Sequence, residues 1–174
     1  MMTNVMVDLE TLGKGSTAVI VSIGAVEFGP EGLGREFYTL VNPESCTGAG
    51  LKMDASTVMW WMKQSEEARH ALGSEEAKPL ARALLDFYNW FSVESNIWGN
   101  GAAFDNVILS NAYSAVCLKM PWGYTADRCY RTLRALRTDI KGVALPGEVA
   151  HNALADAKYQ ARHAVEILNA IGGW

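Results

Sequence analysis

The chain is poor in cysteine: Cys46, Cys117 and Cys129 lie far apart, with no pair at CxxC spacing. An odd, sparse set excludes a disulfide framework and a cysteine zinc site, and fits reduced thiols in a cytoplasm. No apolar run reaches the roughly 18 residues of a membrane span. The N-terminus shows no basic region followed by an apolar stretch and a small-residue cleavage site, so no secretory leader is expected. Repeats, low-complexity tracts and linker-like stretches are also missing. The 174 residues therefore read as a single domain, 1–174, with a substantial core. Positive charge is scarce as well, with 15 Lys and Arg against 19 Asp and Glu, net −4. Proteins that grip duplex nucleic acid over a broad surface are basic, so sequence-specific duplex binding is not expected. An acidic chain can still act on a phosphodiester if bound metal ions supply positive charge locally.

What is present is a change of period. Residues 4–9 read as a buried strand, and Ala18–Phe28 as a second, rich in β-branched residues. The turn Gly29-Pro30-Glu31-Gly32 leads to a third at Glu36–Val41, giving an antiparallel meander. Ser56–Leu72 then has helical spacing. Ser74-Glu75-Glu76 opens another helix, with Leu80, Leu84, Leu85, Tyr88 and Phe91 as its apolar stripe. Asn96–Gly99 reads as a short buried strand, Asp105–Leu118 as a helix and Pro121–Thr125 as a last strand. Cys129–Arg137 and Ala153–Ile171 read as helices. Glu44–Asp54, with two glycines, is the expected mobile loop. Three antiparallel strands followed by α-β-α-β-α predict an α/β fold: one mixed sheet with helices on both faces. Sites in such sheets gather at strand ends near the centre.

The stretch Val5-Met6-Val7-Asp8-Leu9-Glu10-Thr11 ends an apolar strand in two carboxylates. Strand side chains alternate, so Asp8 and Glu10 share one face. Like charges there repel unless a cation lies between them, and Mg²⁺ or Mn²⁺ suits such oxygen ligands. Taken alone, the pair is equally a strand end in solvent. Asp105 follows the Asn96–Gly99 strand through Asn100-Gly101-Ala102-Ala103-Phe104 and sits at a helix start, where a carboxylate also serves as a cap. Asp156 lies among alanines, the company of a helix face packed on a sheet. It therefore points into the protein. His151 falls in the loop before it and His163 one face further on. His163 and His70 read as surface or packing residues.

In this order, Asp8-Leu9-Glu10-Thr11, Asn100-x-x-x-Phe104-Asp105 and His151-x-x-x-x-Asp156 resemble the three motifs of the DEDD exonuclease superfamily, in its histidine subtype. The tyrosine subtype has Tyr where this chain has Asn152. Trp60-Trp61 followed by Lys63-Gln64-Ser65-Glu66-Glu67-Ala68 is further similar to small phage and prophage exonuclease VIII-like proteins and to mycobacterial-type 3′–5′ exoribonucleases. The resemblance implies a ribonuclease H-like fold, a homodimer, and 3′–5′ hydrolysis of single-stranded RNA or DNA to nucleoside 5′-monophosphates. It implies two divalent cations, Mg²⁺ or Mn²⁺, held by Asp8, Glu10, Asp105 and Asp156, with His151 as general base.

A terminal base needs a stacking surface, for which Leu12 and Phe104 are candidates, with core packing as their plain alternative. Adjacent helical residues point about 100° apart, so one tryptophan of the pair is left for substrate or dimer contact; Trp61 is the substrate candidate. Two other classes stay open: a nucleic-acid-binding module of the same fold that has lost turnover, and a glycosidase with a carboxylate pair. The second is disfavoured because Asp8 and Glu10 lie too close on one strand face to flank a sugar. No residue is identified that would read a 2′-hydroxyl, so RNA and DNA both remain substrates at this point.

Overall fold

The structure, a computed structural model, describes residues 4–147 and 151–174. Three antiparallel strands come first: β1 (Asn4–Thr11), β2 (Ile20–Gly29) and β3 (Gly32–Leu40). After α1 (Pro43–Gly48), α2 (Ala55–Trp61), α3 (Glu66–Arg69), a 3₁₀ turn at His70–Leu72 and α4 (Leu80–Trp90), the chain re-enters the sheet as β4 (Asn96–Gly99). It continues through α5 (Asp105–Ala115), β5 (Asp127–Cys129), α6 (Tyr130–Leu136) and α7 (Ala153–Ile171). The sheet order is β3-β2-β1-β4-β5, with β4 parallel to β1 and β5 parallel to β4. This is the mixed sheet with helices on both faces that the pattern predicts, and β1 is its centre. Among the described residues no helix is long and apolar enough to cross a membrane.

The alternation of β1 divides the interior in two. Val5, Val7 and Leu9 face α4 and α5, joining Leu84, Phe87, Tyr113 and Trp122 in the larger core. Met6 faces the other way, onto the alanines Ala157, Ala161 and Ala164 of α7, with Trp98 and Tyr130. Asp8 and Glu10 continue that second face. Alanine on α7 lets the helix approach β2 so closely that a Cβ on Gly24 would collide with the backbone of Ala153 and Leu154. The start of α7 is thereby set against the sheet directly opposite Asp8, which pairs with Gly24 in register.

Several boundaries differ from expectation. Glu44–Asp54 is not simply a mobile loop: Asn42 caps α1, accepting from the Glu44 and Ser45 N–H groups at 2.8 and 3.2 Å, and Cys46 is fully buried. The far end of the stretch is bonded to the Leu12–Val19 connection through Lys52 and Asp54. The helix expected over Ser56–Leu72 breaks after Trp61 and restarts at α3, where the Ser65 hydroxyl accepts from the Ala68 N–H. No helix opens at Ser74. Lys78 instead bonds as extended chain to Leu40 and Asn42, and a residue before proline disfavours helix, so α4 begins after Pro79. In α4, Leu85 and Tyr88 are exposed and Ala83 takes a place in the buried stripe. The last strand is Asp127–Cys129 and not Pro121–Thr125, because Trp122 is drawn into the core against Phe87, Phe91 and Tyr113. β3 starts earlier than Glu36, at Gly32, and α5 ends earlier than Leu118, at Ala115.

Gly24→Ala is expected to destabilise the protein by roughly 1–3 kcal/mol, the usual range for overpacking. Gly29→Ala, where a Cβ meets nothing within 4 Å, is the control. Urea midpoints that coincide for the two variants would show that α7 does not need this close approach.

Candidate active site

Four carboxylates meet where β1 and β4 end. Asp8 and Glu10 arrive on the α7 face of β1. Asp105 comes from the first residue of α5, and both its oxygens are engaged by backbone: Oδ1 accepts from the Leu9 N–H at 3.3 Å and Oδ2 from the Asn100 N–H at 3.0 Å. These bonds go to the central strand and to the Asn100 loop, not to the first-turn N–H groups of α5, so helix capping is not what holds Asp105. Gly99 permits the arrangement, since a Cβ there would lie 3.0 Å from that of Asp105 and 2.5 Å from Asn106 Oδ1. Asp156 sits in the first turn of α7, which Asn152 caps by accepting from the Ala155 N–H at 3.1 Å.

His151 completes the group. Ligand atoms of Glu10, His151 and Asp156 all lie within 4.8 Å of one another. Its backbone has φ 62°, a left-handed conformation uncommon outside glycine. Its ring meets Trp60 edge to face at 4.9 Å between centroids. The structure thus brings together all five residues that the sequence motifs single out.

The electrostatics are those of a site short of positive charge. Burial, followed by the charges of Asp105, Glu10 and Asp156, holds the Asp8 carboxyl well above the usual range, opposed by one hydrogen bond from Gln160 Nε2 at 2.8 Å. Burial pushes Glu10 up to about 8, with Asp156 and Asp105 adding to it. Burial also raises Asp105, to about 6, although its two backbone N–H bonds and the nearby Arg131 pull the other way. Divalent cations fit this set by chemistry and charge: hard oxygen donors converge, mutually repelling and partly withdrawn from water.

Beside Glu10 lies a cleft of about 380 Å³, lined in part by Thr11, Lys14, Trp60, Trp61 and Phe104. Phe104 lies between this cleft and the core, as both of its readings had it. Of the tryptophan pair, Trp61 is the core residue, 1% exposed and donating its indole N–H to Thr11 O at 2.9 Å. It borders the cleft while almost wholly buried. Trp60, 41% exposed and against His151, is the accessible partner. Leu12 is buried in the core and does not line the cleft. Sequence reasoning passed over Gln160 and Lys14, and of the tryptophan pair it took Trp61 as the substrate candidate where Trp60 is the accessible one. For Gln160 a signal existed: it follows Asp156 by one helical turn and so shares its face.

In metal-free protein these shifts predict a pH dependence. The folded state holds the Glu10 proton up to about pH 8, against about 4.5 for an ordinary glutamate, so folding loses stability as pH rises through that window. Below it the group is protonated in both states and costs nothing. Thermal melts in EDTA from about pH 5 to about pH 8 should show the parent falling and Glu10→Gln falling less. Parallel curves for the two proteins would mean that repulsion at Glu10 is not stored in the fold.

The chain matches the family described as Rv2179c-like, 3′–5′ exoribonuclease Rv2179c-like domain, over residues 3–168. This is the exoribonuclease side of the sequence resemblance; the phage side has no counterpart in it. No curated protein matches the sequence significantly. Among solved structures, E. coli exonuclease I in complex with a dA16 oligonucleotide is similar at TM-score 0.69 and 17% identity, over 98% of this chain but 41% of that one. The nuclease domain of 3′hExo, a DEDDh family member bound to rAMP, is similar at TM-score 0.65 and 14% identity, over 97% and 92% of the two chains. Exonuclease X in complex with 5′ overhanging duplex DNA gives TM-score 0.62 and 19% identity, over 100% and 94%. The fold is accordingly ribonuclease H-like. Because the family match takes in nearly the whole chain, this protein belongs to the Rv2179c-like 3′–5′ exoribonuclease domain family and is a 3′–5′ exonuclease.

Proposed function

We propose that this single exonuclease domain removes nucleoside 5′-monophosphates, one at a time, from 3′ ends of single-stranded RNA or DNA in a metal-dependent reaction. The observation that carries the reading is the convergence of Glu10, Asp156 and His151 beside the aromatic cleft. Asp8, Glu10, Asp105 and Asp156 would hold two divalent cations, Mg²⁺ or Mn²⁺, which when bound clamp the scissile phosphate and acidify the attacking water. Gln160 fixes one oxygen of Asp8 and so orients the other. Asp105 is held at both oxygens by backbone N–H groups.

His151 takes the proton of the attacking water, a transfer imidazole performs well near neutral pH. Trp60 covers one side of its ring and keeps it in place. The terminal base stacks on the walls formed by Phe104 and the accessible Trp60, an interaction of about 1–3 kcal/mol per base. The substrate is single-stranded because the terminal nucleotide must be splayed into the cleft, and an acidic chain has little surface to hold a duplex. The homodimer belongs to the same reading, with exposed Met53, Met59 and Met62 on and beside α2 as apolar surface for it. The cysteines are all free, which supports a cytoplasmic setting.

Digestion of 5′-labelled RNA and DNA oligomers tests this. With Mn²⁺ or Mg²⁺ a ladder shortened from the 3′ end and free 5′-monophosphates are expected, and EDTA abolishes both. Hydrolysis that survives thorough chelation would rule out the metal-dependent reading. Binding without release would favour a module that has lost turnover.

His151→Ala should lower kcat by roughly 10²–10⁴-fold yet keep the rise in melting temperature that Mn²⁺ gives the parent. Asp156→Ala should lose that rise too, because a ligand is gone. Full activity in His151→Ala would remove it from the proton transfer.

A further inference from the structure

A second concavity, of about 440 Å³, lies between α6 and α7 and has no part in the site described so far. Its lining includes Arg131, Arg134 and Lys141, together with Tyr130, Tyr159 and His163. Three cations gathered in one groove are notable in a chain of net charge −4. Among the described residues none of the three forms a salt bridge; the ion pairs occur elsewhere, at Arg35, Lys78, Arg82, Arg137 and Lys158. Arg134 instead lies over the Tyr130 ring, 5.6 Å from its centroid.

The groove has rigid walls. His163 is buried and joins them: its Nε2 lies 3.1 Å from Ile140 O and its Nδ1 2.7 Å from the Tyr130 hydroxyl. A carbonyl only accepts, so Nε2 carries the hydrogen and Nδ1 accepts from Tyr130. Gly142 lies so close to α7 that a Cβ there would be 2.6 Å from the Tyr159 hydroxyl. The loop carrying Lys141 is thus held against α7, and the three cations are exposed along the groove.

The groove also connects to the carboxylates. Arg131 donates to Asn100 O at 2.8 Å, and the Asn100 N–H is the group that binds Asp105. Cations that form no salt bridge and begin one residue from a phosphodiester-cleaving centre match a run of phosphates. In a 3′-end exonuclease the terminal nucleotide occupies the cleft beside Glu10, and all further phosphates lie on its 5′ side. We propose that the α6–α7 groove seats the backbone phosphates of the substrate strand 5′ to the bond being cut, with Arg134 and Lys141 as its outer contacts. This rests on the exonuclease reading above. It makes the groove a length-sensing site, since a dinucleotide is too short to reach the outer cations.

The test is Arg134→Gln/Lys141→Gln, assayed with Mn²⁺ on a dinucleotide and on a ten-nucleotide single strand. KM for the longer strand should rise about 10-fold with kcat unchanged, and KM for the dinucleotide should not move. The salt dependence of the longer strand's KM should weaken by about 1.4 in log–log slope, for two phosphate contacts. An equal rise on both lengths, no rise on either, or the same rise in the charge-matched control Arg69→Gln/Lys119→Gln overturns the groove. Anisotropy of the labelled ten-nucleotide strand reads binding without turnover. If no product forms from any substrate the exonuclease reading fails, yet weaker binding by the double variant than by the parent still supports the groove, and equal binding overturns it.

Discussion

Repulsion among buried carboxylates is the constraint around which this molecule is built. Asp8 and Glu10 share a strand face by the geometry of the β-strand alone, and Asp105 and Asp156 are brought to them by two separate helices. Withdrawal from water makes Asp8 and Glu10 harder to ionise, and the charges of Asp105 and Asp156 add to the effect. The fold must force this meeting with contacts elsewhere. It does so with two apolar cores, one on each side of β1, whose members alternate along that strand.

Close backbone approach delivers the groups. Alanines on α7 and Gly24 on β2 let the helix lie almost on the sheet, and Gly99 does the same for the start of α5. Small residues therefore set the position of the charged ones. The hydrogen bonds from Leu9 and Asn100 to Asp105 then lock β1, β4 and α5 together through one of the carboxylates proposed to hold metal. Stability and function are coupled at that residue, whereas at Glu10 they oppose each other.

Aromatic residues divide the remaining work. Trp61 anchors α2 to the end of β1 through its indole N–H, and Trp60, next to it, is left against His151. The left-handed backbone at His151 is held from outside by this edge-to-face contact and by the capped start of α7 that follows it. On the far side, Tyr130 and His163 tie α6 to α7 beside a groove whose cations form no salt bridge among the described residues. Negative charge is thus concentrated at the carboxylates and positive charge beside them, an arrangement that net charge conceals.

The strand triplet, the two helix-start aspartates and the histidine were legible in sequence because each depends on short-range periodicity and fixed order. So were the meander and α7, whose patterns are long. Breaks in local pattern were not legible. Trp122 reads as part of a strand until the core draws it in, and Lys78 reads as helical until Val41 pairs with it. Which of two adjacent tryptophans would be buried, and that Leu12 would go into the core, depended on neighbours distant in sequence. Sequence by itself determined which side chains could form the centre, because residue type and alternation are local properties. Only the tertiary structure decided that Gln160 steadies Asp8 and that three scattered cations share a groove, because such contacts exist only once α7 has packed against the sheet.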